Sequence, residues 1–163
     1  MNKTTRTLDR TDRAILRLLQ ENARLANVAV ARRVGMAPSA VLERIRRLEK
    51  SGWICGYETR LNAAALGLGL VAFVFVRTRE PVRASRIERQ LAKLPEVQEV
   101  HHIAGEDCFL VKVRVRDTHA LSRVLRQKFG NIPGVVATRT TIVLDTQKET
   151  GRLALDAAEQ DDD

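Results

Sequence analysis

Two hydrophobic periodicities divide the chain, a helical one in its N-terminal third and a strand-like one beyond it. In the N-terminal third, apolar residues recur every three to four positions, which is typical of amphipathic helices. The pattern predicts a first helix opening at Leu8–Asp12 and ending near 21–23, a shorter helix over 27–34, and a third over 38–50. Gly35 lies between the last two, where a tight turn favours a positive φ. This order of helices predicts a helix-turn-helix domain.

The third predicted helix combines an apolar stripe with a basic outer surface. Val41, Ile45 and Leu48 form the stripe, and Pro38 suits the first helical position because its missing N–H would have no partner there. In a helix-turn-helix domain such a helix enters the major groove of DNA. We therefore expect seven residues to bind DNA: Pro38, Ser39, Ala40, Glu43, Arg44, Arg46 and Arg47.

The chemistry of these side chains divides them into base readers and phosphate ligands. Glu43 can accept a hydrogen bond from cytosine N4, and Ala40 can contact a thymine methyl group. The three arginines are expected to clamp phosphates, which fixes the register of the helix without reading sequence. For Arg44 an alternative remains open, a structural role in packing on the second helix.

Beyond residue 67 the chain repeats one pattern, strand–helix–strand. Runs of β-branched and aromatic residues alternate with helical stripes, and both repeats contain an X-Pro-X-Val junction, 38 residues apart. The predicted strands cover 68–77, 97–104, 109–115 and 135–144, and the predicted helices cover 82–94 and 117–130. Such a repeat predicts the ferredoxin-like βαββαβ arrangement, a four-stranded antiparallel sheet with two helices on one face. The fold class is therefore α+β.

The first predicted strand of this repeat is apolar on both faces. One face carries Ala72, Val74 and Val76, and the other carries Val71, Phe73 and Phe75. A strand that is apolar on both sides is buried on both sides, whereas the two helices can cover only one. We therefore expect a second copy of the sheet to cover the other face, in a homodimer or a larger oligomer.

The net charge of +8 is unevenly distributed. Residues 1–60 contain 13 Lys and Arg against 6 Asp and Glu, whereas the segment from Asp145 onward contains 2 against 7. The basic third favours a polyanionic partner, the alternative being a merely solubilising surface. The predicted domains are a helix-turn-helix DNA-binding domain at 1–57, a linker at 58–67, a ligand-binding and oligomerisation domain at 68–146, and an acidic, disordered tail at 147–163.

Other classes of protein find little support in the sequence. No apolar run approaches the roughly 20 residues that span a bilayer, and no secretory signal is visible, so we expect a cytoplasmic protein. Cys55 and Cys108 fit neither a disulfide framework nor a metal motif. His101 and His102 are adjacent on a predicted strand, so their side chains point to opposite faces and cannot chelate one ion. We expect no metal, no cofactor and no enzymatic activity, since no phosphate loop or nucleophile motif occurs.

Several short motifs occur in a fixed order along the chain. They are Leu8-Asp9-x-x-Asp12-Arg-x-Ile-Leu16, Arg44-Ile-Arg-Arg-Leu-Glu49, Gly52-x-Ile54-x-Gly-Tyr57, Leu94-Pro-x-Val97, Gly105-Glu-x-x-Phe109, Pro133-Gly-Val135 and Thr138-x-Thr140-x-Ile-Val143. Together they resemble the leucine-responsive regulator and AsnC (Lrp/AsnC) family of bacterial and archaeal transcription factors. The resemblance implies a helix-turn-helix (winged-helix-like) domain joined to a ferredoxin-like effector domain. It also implies dimers, often four in a ring that makes an octamer, with a small ligand, usually an amino acid, between dimers.

The resemblance places the ligand loop at 105–109, with help from two threonines of the last strand. The effector-binding residues that it implies are Ile103, Gly105, Glu106, Asp107, Cys108, Thr138 and Thr140. The family commonly has an Asp where this chain has Cys108. An ammonium-binding carboxylate would then come from Glu106 or Asp107, or the ligand is not a simple amino acid.

The family pattern also has serines that open the second and third helices, where this chain has Ala26 and Ala37. Losing such a cap costs about 0.5–2 kcal/mol. Asn27 is the expected replacement for the second helix, and Ser39 or DNA itself for the third.

Three functions follow from these observations, in order of preference. The first is a sequence-specific, ligand-responsive transcriptional regulator whose partners are double-stranded DNA, a small-molecule effector and further copies of itself. The alternative is an architectural DNA-compacting protein with little ligand response. The third is a metabolic enzyme or metabolite-binding module in which the basic domain is incidental.

Overall fold

Three helices form one unit of the protein, and a four-stranded sheet with two helices on one face forms another. The computed structural model describes residues 7–79 and 85–155. The first unit takes the chain up to Arg60 and again from Thr150, and the second comprises Leu61–Glu149. The elements of the first unit are α1 (Arg10–Glu21), α2 (Asn27–Val34) and α3 (Pro38–Lys50). Those of the second are β1 (Leu70–Thr78), α4 (Ser85–Ala92), β2 (Val97–His102), β3 (Phe109–Val115), α5 (Thr118–Arg123), a π-helical segment (Val124–Phe129) and β4 (Val135–Ile142).

The ends of the three N-terminal helices differ in how they are capped. The Asp9 carboxylate accepts a hydrogen bond of 2.7 Å from the N–H of Asp12 and caps α1, as the sequence predicts. Ala26 and Ala37 occupy the cap positions of α2 and α3 and offer no side-chain hydrogen bond. Asn27 and Ser39 are therefore not the replacement caps, because Asn27 is already the first residue of α2 and Ser39 lies inside α3, whereas capping of α3 by DNA stays a prediction.

The first unit has a small core to which all three helices contribute. Each helix turns its apolar stripe toward the other two, and each large aliphatic side chain buried in this way stabilises the fold by roughly 1.5–3 kcal/mol. The buried core residues are Ile15, Leu16, Val30, Ala31, Val41, Ile45 and Leu48. This core fixes α3 against α1 and α2 and leaves its opposite face in solvent.

The sheet of the second unit is antiparallel, with the strand order β2-β3-β1-β4. This order confirms the predicted ferredoxin-like fold, in which the two βαβ halves interleave their strands. Helices α4 and α5 pack on one face of the sheet. The fully buried core there includes Val74 and Val76 of β1, Val111 and Val113 of β3, Leu91 of α4, and Phe129.

The last turn before Gly130 is π-helical rather than α-helical. The Gly130 N–H donates to the Leu125 carbonyl at 2.9 Å, a bond that spans five residues. The wider turn places Phe129 on the same buried face of the helix as Leu121 and Val124, while Leu125 is only half-buried. A side chain at Gly130 would lie 2.9 Å from the Arg126 carbonyl oxygen, which explains why the helix ends at a glycine.

The second face of the sheet is formed by alternate residues of β1, β3 and β4. Phe73 is paired in register with Lys112 and Thr141, and Phe75 with Leu110 and Arg139. Both phenylalanines are half-buried, although the two helices pack on the opposite face. An aromatic pair thus lies on the face that the chain's own helices do not cover.

The C-terminal tail departs from the predicted disorder over part of its length. Residues 152–155 are hydrogen-bonded to α1 and belong to the first unit, and residues 156–163 lie outside the described part of the chain. Composition alone did not indicate this, because three of the four bonds involve the main chain of Leu153 or Leu155. Within residues 7–79 and 85–155, no helix is long and apolar enough to cross a membrane.

Candidate DNA-binding and effector sites

The solvent side of α3 presents a polar stripe. Ser39, Glu43, Arg46 and Lys50 are all exposed and recur every three to four residues, so they share one face of the helix. Glu43 and Arg46 form an exposed ion pair at 3.3 Å. Such a pair contributes little to stability, so both side chains can exchange it for contacts to DNA at small cost. Pro38 is also exposed and Ala40 is half-buried, both in the first turn.

Arg44 and Arg47 are bonded instead to carboxylates of the first helix. Arg44 Nη1 lies 2.5 Å from Asp9 Oδ2 and 2.7 Å from Asp12 Oδ1. Arg47 Nη2 contacts both oxygens of Asp12, at 3.0 and 3.1 Å. Asp12 is only 5% exposed, so these two arginines provide the hydrogen bonds that a buried carboxylate needs. The alternative structural role for Arg44 therefore describes its contacts, but its partners are on α1, not on α2.

The ion pair between Asp9 and Arg44 stabilises the charged form of both side chains. The hydrogen bond from Arg44 holds the pKa of the Asp9 carboxyl below its usual value, and the same bond raises the pKa of Arg44. The cluster joins the start of α1 to the middle of α3. These ion pairs fix α3 relative to the start of α1.

The predicted effector loop closes the hairpin between β2 and β3. The Ile103 N–H donates to the Cys108 carbonyl at 3.0 Å, and the Cys108 N–H donates to the Val76 carbonyl at 2.9 Å. The Thr78 hydroxyl donates to Cys108 Sγ at 3.2 Å, so this half-buried thiol is part of the base of the loop. Gly105 has a φ of 140°, which a residue with a side chain rarely adopts.

Two arginines that the sequence reasoning missed surround the carboxylates of this loop. Arg139 Nη2 lies 3.1 Å from Asp107 Oδ2, and Arg77 lies 3.8 Å from Asp107 and 3.4 Å from Glu106. The Arg139 guanidinium also stacks on the ring of Phe75, 3.9 Å from its centroid. The available signal was strand alternation, since Arg139 must point to the face of Phe75 when Thr138 and Thr140 point to the other.

The two threonines are not brought to the loop. Thr138 pairs in register with Val76 and Thr140 with Val74, both on the β4 side of β1, whereas Phe109 pairs with Val76 from the other side. Strand β1 therefore separates them from the loop, by about 9–10 Å between outer strands. Ile103, Gly105, Glu106, Asp107 and Cys108 do lie together in the loop.

Two clefts in the described part of the chain lie away from this loop. One, of about 150 Å³, lies between the start of α1 and the end of α3 and includes Asp12, Arg47 and Trp53. Another, of about 450 Å³, is lined by Arg79 and residues 134–136. Neither includes a residue of 103–108. Among the residues that the structure describes, no group of three or more His, Cys, Asp or Glu side chains is arranged to hold a metal ion.

A basic helix-turn-helix unit joined to a ferredoxin-like domain defines the class of DNA-binding regulators with a ligand-binding domain. Family models agree: winged helix-turn-helix DNA-binding matches residues 8–54, and Lrp/AsnC ligand binding domain matches residues 71–153. The chain belongs to the Lrp/AsnC family of transcriptional regulators. These proteins regulate transcription and are not enzymes.

Individual relatives match over nearly their whole length. The leucine-responsive regulatory proteins of Escherichia coli and Salmonella typhimurium are each 39% identical over 150 residues, which is 91% of this chain and 92% of theirs. A transcriptional regulator from Neisseria meningitidis, solved in complex with L-Met, has a TM-score of 0.86 at 34% identity and covers 93% of this chain and 99% of its own. The AsnC protein of E. coli has a TM-score of 0.83 at 28% identity, with coverage of 91% and 99%.

Proposed function

We propose that this regulator binds specific DNA sequences in the cytoplasm as a homodimer, that dimers assemble further into an octamer, and that an amino acid or a related metabolite bound between dimers controls it. The observation that carries the proposal is the loop 103–108, whose carboxylates lie beside Arg77 and Arg139 at the surface of the effector domain. The relative from N. meningitidis was solved with L-Met, and so was a feast or famine regulatory protein from Mycobacterium tuberculosis.

The chemistry of the loop suits a zwitterion. An amino acid carries one carboxylate and one ammonium group, and the loop carboxylates already form ion pairs with arginines of the neighbouring strands β1 and β4. A ligand carboxylate can take the place of Asp107 at Arg139, while its ammonium group binds Asp107 or Glu106. Because Glu106 and Arg139 are exposed on the surface of one chain, we propose that a second dimer completes the site.

The DNA-binding part of the proposal uses the exposed stripe of α3. Glu43 reads a base, Arg46 and Lys50 contact phosphates, and Arg44 and Arg47 hold the helix in position. In a dimer, two such helices would reach half-sites about one helical turn apart, roughly 34–36 Å.

A ligand screen tests the effector assignment. Thermal shifts of the whole protein are measured with each of the twenty amino acids and related metabolites, because a ligand that binds the native state stabilises it. We expect at least one to raise the midpoint by several degrees in the wild type and to lose that effect in Arg139→Ala. Arg126→Ala, an exposed arginine of the π-helical segment, is the control. An equal shift in Arg139→Ala would remove this residue from the site.

A selection from random DNA tests sequence specificity. The wild type should enrich one motif, and Glu43→Ala should relax the preference at one base pair. Arg46→Ala should weaken binding to all sequences alike and reduce the dependence on salt, because it removes a phosphate contact. Footprints that spread along any DNA, unmoved by every metabolite, would support the architectural alternative instead.

A further inference from the structure

The C-terminal segment 150–155, which we name the C-terminal strap, is bound along α1. The Gln20 side-chain amide bonds to both main-chain groups of Leu153: its Nε2 donates to the Leu153 carbonyl at 3.2 Å, and its Oε1 accepts from the Leu153 N–H at 2.7 Å. One side chain thus satisfies the main-chain donor and the main-chain acceptor of a residue that lies in no helix or strand. This is a specific seat for a main chain, independent of the side chain at residue 153.

Contacts on either side of Leu153 extend this seat. Arg152 donates to the Glu21 carbonyl at 3.3 Å, where the last turn of α1 leaves carbonyl groups without helical partners and favours a cation. Arg13 donates to the Leu155 carbonyl at 3.3 Å, and the Leu155 side chain packs against the core of the first unit. The strap therefore runs from the C-terminal end of α1 toward its N-terminal end.

The residue before the strap is held by the effector domain. The Glu149 carboxylate pairs with Lys112 and with Arg114, whose Nη2 lies 3.0 Å away, both on β3. The bond to Lys112 lowers the pKa of Glu149 and raises that of Lys112. Only Thr150 and Gly151 separate Glu149 from Arg152. The chain passes between the two units twice, near Arg60 and after Glu149.

We propose that the C-terminal strap is a second connection through which the effector domain restrains the DNA-binding domain. A domain held at two points samples fewer orientations than one held by a single linker. In a dimer this restraint raises the effective concentration of the second recognition helix at its half-site once the first has bound. The proposal rests on the proposed dimeric DNA-binding function, and it adds that the strap supplies part of the affinity for paired half-sites.

Proteolysis tests whether the strap is seated. Trypsin cleavage after Arg152 releases residues 153–163, which mass spectrometry can follow. Gln20→Leu removes both bonds to Leu153, and we expect it to release this peptide about 10-fold faster than the wild type, because a seated segment must detach before cleavage. Gln127→Ala, an exposed glutamine of the effector domain, should cleave at the wild-type rate. Equal cleavage rates in Gln20→Leu and the wild type would show that Gln20 does not hold the C-terminal strap on α1.

DNA binding tests whether the strap acts as a restraint. The probes are a duplex that the wild type selects from random sequence and the same duplex with one half-site scrambled. Gln20→Leu should lose about 10-fold in affinity for the paired site and less than about 2-fold for the single site. An equal loss on both probes, or none on either, would overturn the proposal. A wild type that selects no duplex would instead contradict the proposed function.

A second variant separates the restraint from the seat. A Gly-Ser insertion between Thr150 and Gly151 lengthens the connection and leaves Gln20, Arg13 and their bonds unchanged. We expect it to keep the slow cleavage after Arg152 and still lose affinity for the paired site by about 5-fold. Full affinity in this variant would contradict a restraining role.

Discussion

The two units of the chain differ in how completely they pair their buried charges and cover their apolar side chains. In the first unit, the buried carboxylate of Asp12 is neutralised by Arg44 and Arg47, which come from another helix of the same unit. The apolar stripes of its three helices face one another. In the second unit, one face of the sheet is covered by α4 and α5, but Phe73 and Phe75 remain half-buried on the other.

This difference separates the tasks of the two units. A unit that completes its own ion pairs can hold a recognition helix in position before DNA arrives, which is the preorganisation that binding favours. A unit that leaves aromatic side chains half-covered, and carboxylates paired at its surface, is suited to receive further molecules. We infer that those molecules are a second copy of the chain and an effector. The comparison predicts which substitutions act within one unit and which act on assembly.

The largest effect should come from a charge on the half-covered face. We expect Phe73→Asp to raise the dimer dissociation constant at least 100-fold or so, because a second copy would bury a charge that lacks a partner across the interface. Sedimentation velocity across a range of concentrations measures it, with circular dichroism as the check on folding. Ser122→Asp, at an exposed position of α5, is the matched control. A Phe73→Asp protein that stays dimeric at wild-type concentrations would place the interface elsewhere.

Within the first unit, removing the shared carboxylate should have the next largest effect. Asp12→Ala leaves Arg44 and Arg47 without their common partner, and we expect a loss of about 1–3 kcal/mol, since both arginines are partly exposed and water compensates in part. Urea unfolding followed by the fluorescence of Trp53, the single tryptophan of the chain, reports on this unit. Glu43→Ala, which breaks an exposed pair on the same helix, should cost less than about 0.5 kcal/mol. Similar losses in the two variants would show that the ion pairs of Asp12 do not stabilise the first unit more than an exposed ion pair does.

Periodicity and capping chemistry predicted most of the fold. The Asp9 cap, the turn at Gly35 and the βαββαβ order follow from local patterns, because helices and strands bury side chains at fixed intervals. The π-helical turn at Phe129 was not predictable, since its apolar residues suit an α-helix almost as well. The strap was missed because Gln20 binds the main chain of Leu153, and a main chain has no sequence signature.

The candidate sites were predictable in outline but not in their pairings. The helical pattern located Arg44, Arg46 and Arg47 on one helix, and their charge indicated contacts to phosphates. A count of charges cannot distinguish an arginine that is available for DNA from one bonded to Asp12. For the effector loop, the resemblance to the family indicated Thr138 and Thr140, whereas the structure brings the intervening Arg139 to Asp107. Such ion pairs depend on strand register, which only the folded sheet determines.

A smaller loss of stability should appear when the pH is lowered, because the charged Asp9 carboxylate forms an ion pair with Arg44 within the first unit. The hydrogen bond from Arg44 lowers the pKa of Asp9 in the folded state. A carboxyl with a lowered pKa contributes stability that is complete above its unfolded pKa and is lost as the pH falls through its folded pKa, here below about pH 4. The urea midpoint from Trp53 fluorescence should therefore fall between pH 6 and pH 3. It should fall less in Asp9→Asn, and an identical decline in the two proteins would show that Asp9 does not carry this dependence.

The smallest expected effect is a gain in stability from adding the side-chain cap that α3 lacks. Ala37 already has the extended backbone of a helix cap, with φ −69° and ψ 142°, but it offers no side-chain acceptor to the N–H groups of Ser39 and Ala40. In Ala37→Ser the hydroxyl can accept one of these N–H groups without a change of backbone, so we expect a gain of about 0.5 kcal/mol. For a unit of this size that corresponds to a rise of about 2–4 °C in the midpoint of the Trp53 transition. Ala23→Ser, in the exposed turn after α1, should leave the midpoint unchanged. No rise in Ala37→Ser would mean that solvent already satisfies the start of the recognition helix as well as a hydroxyl does.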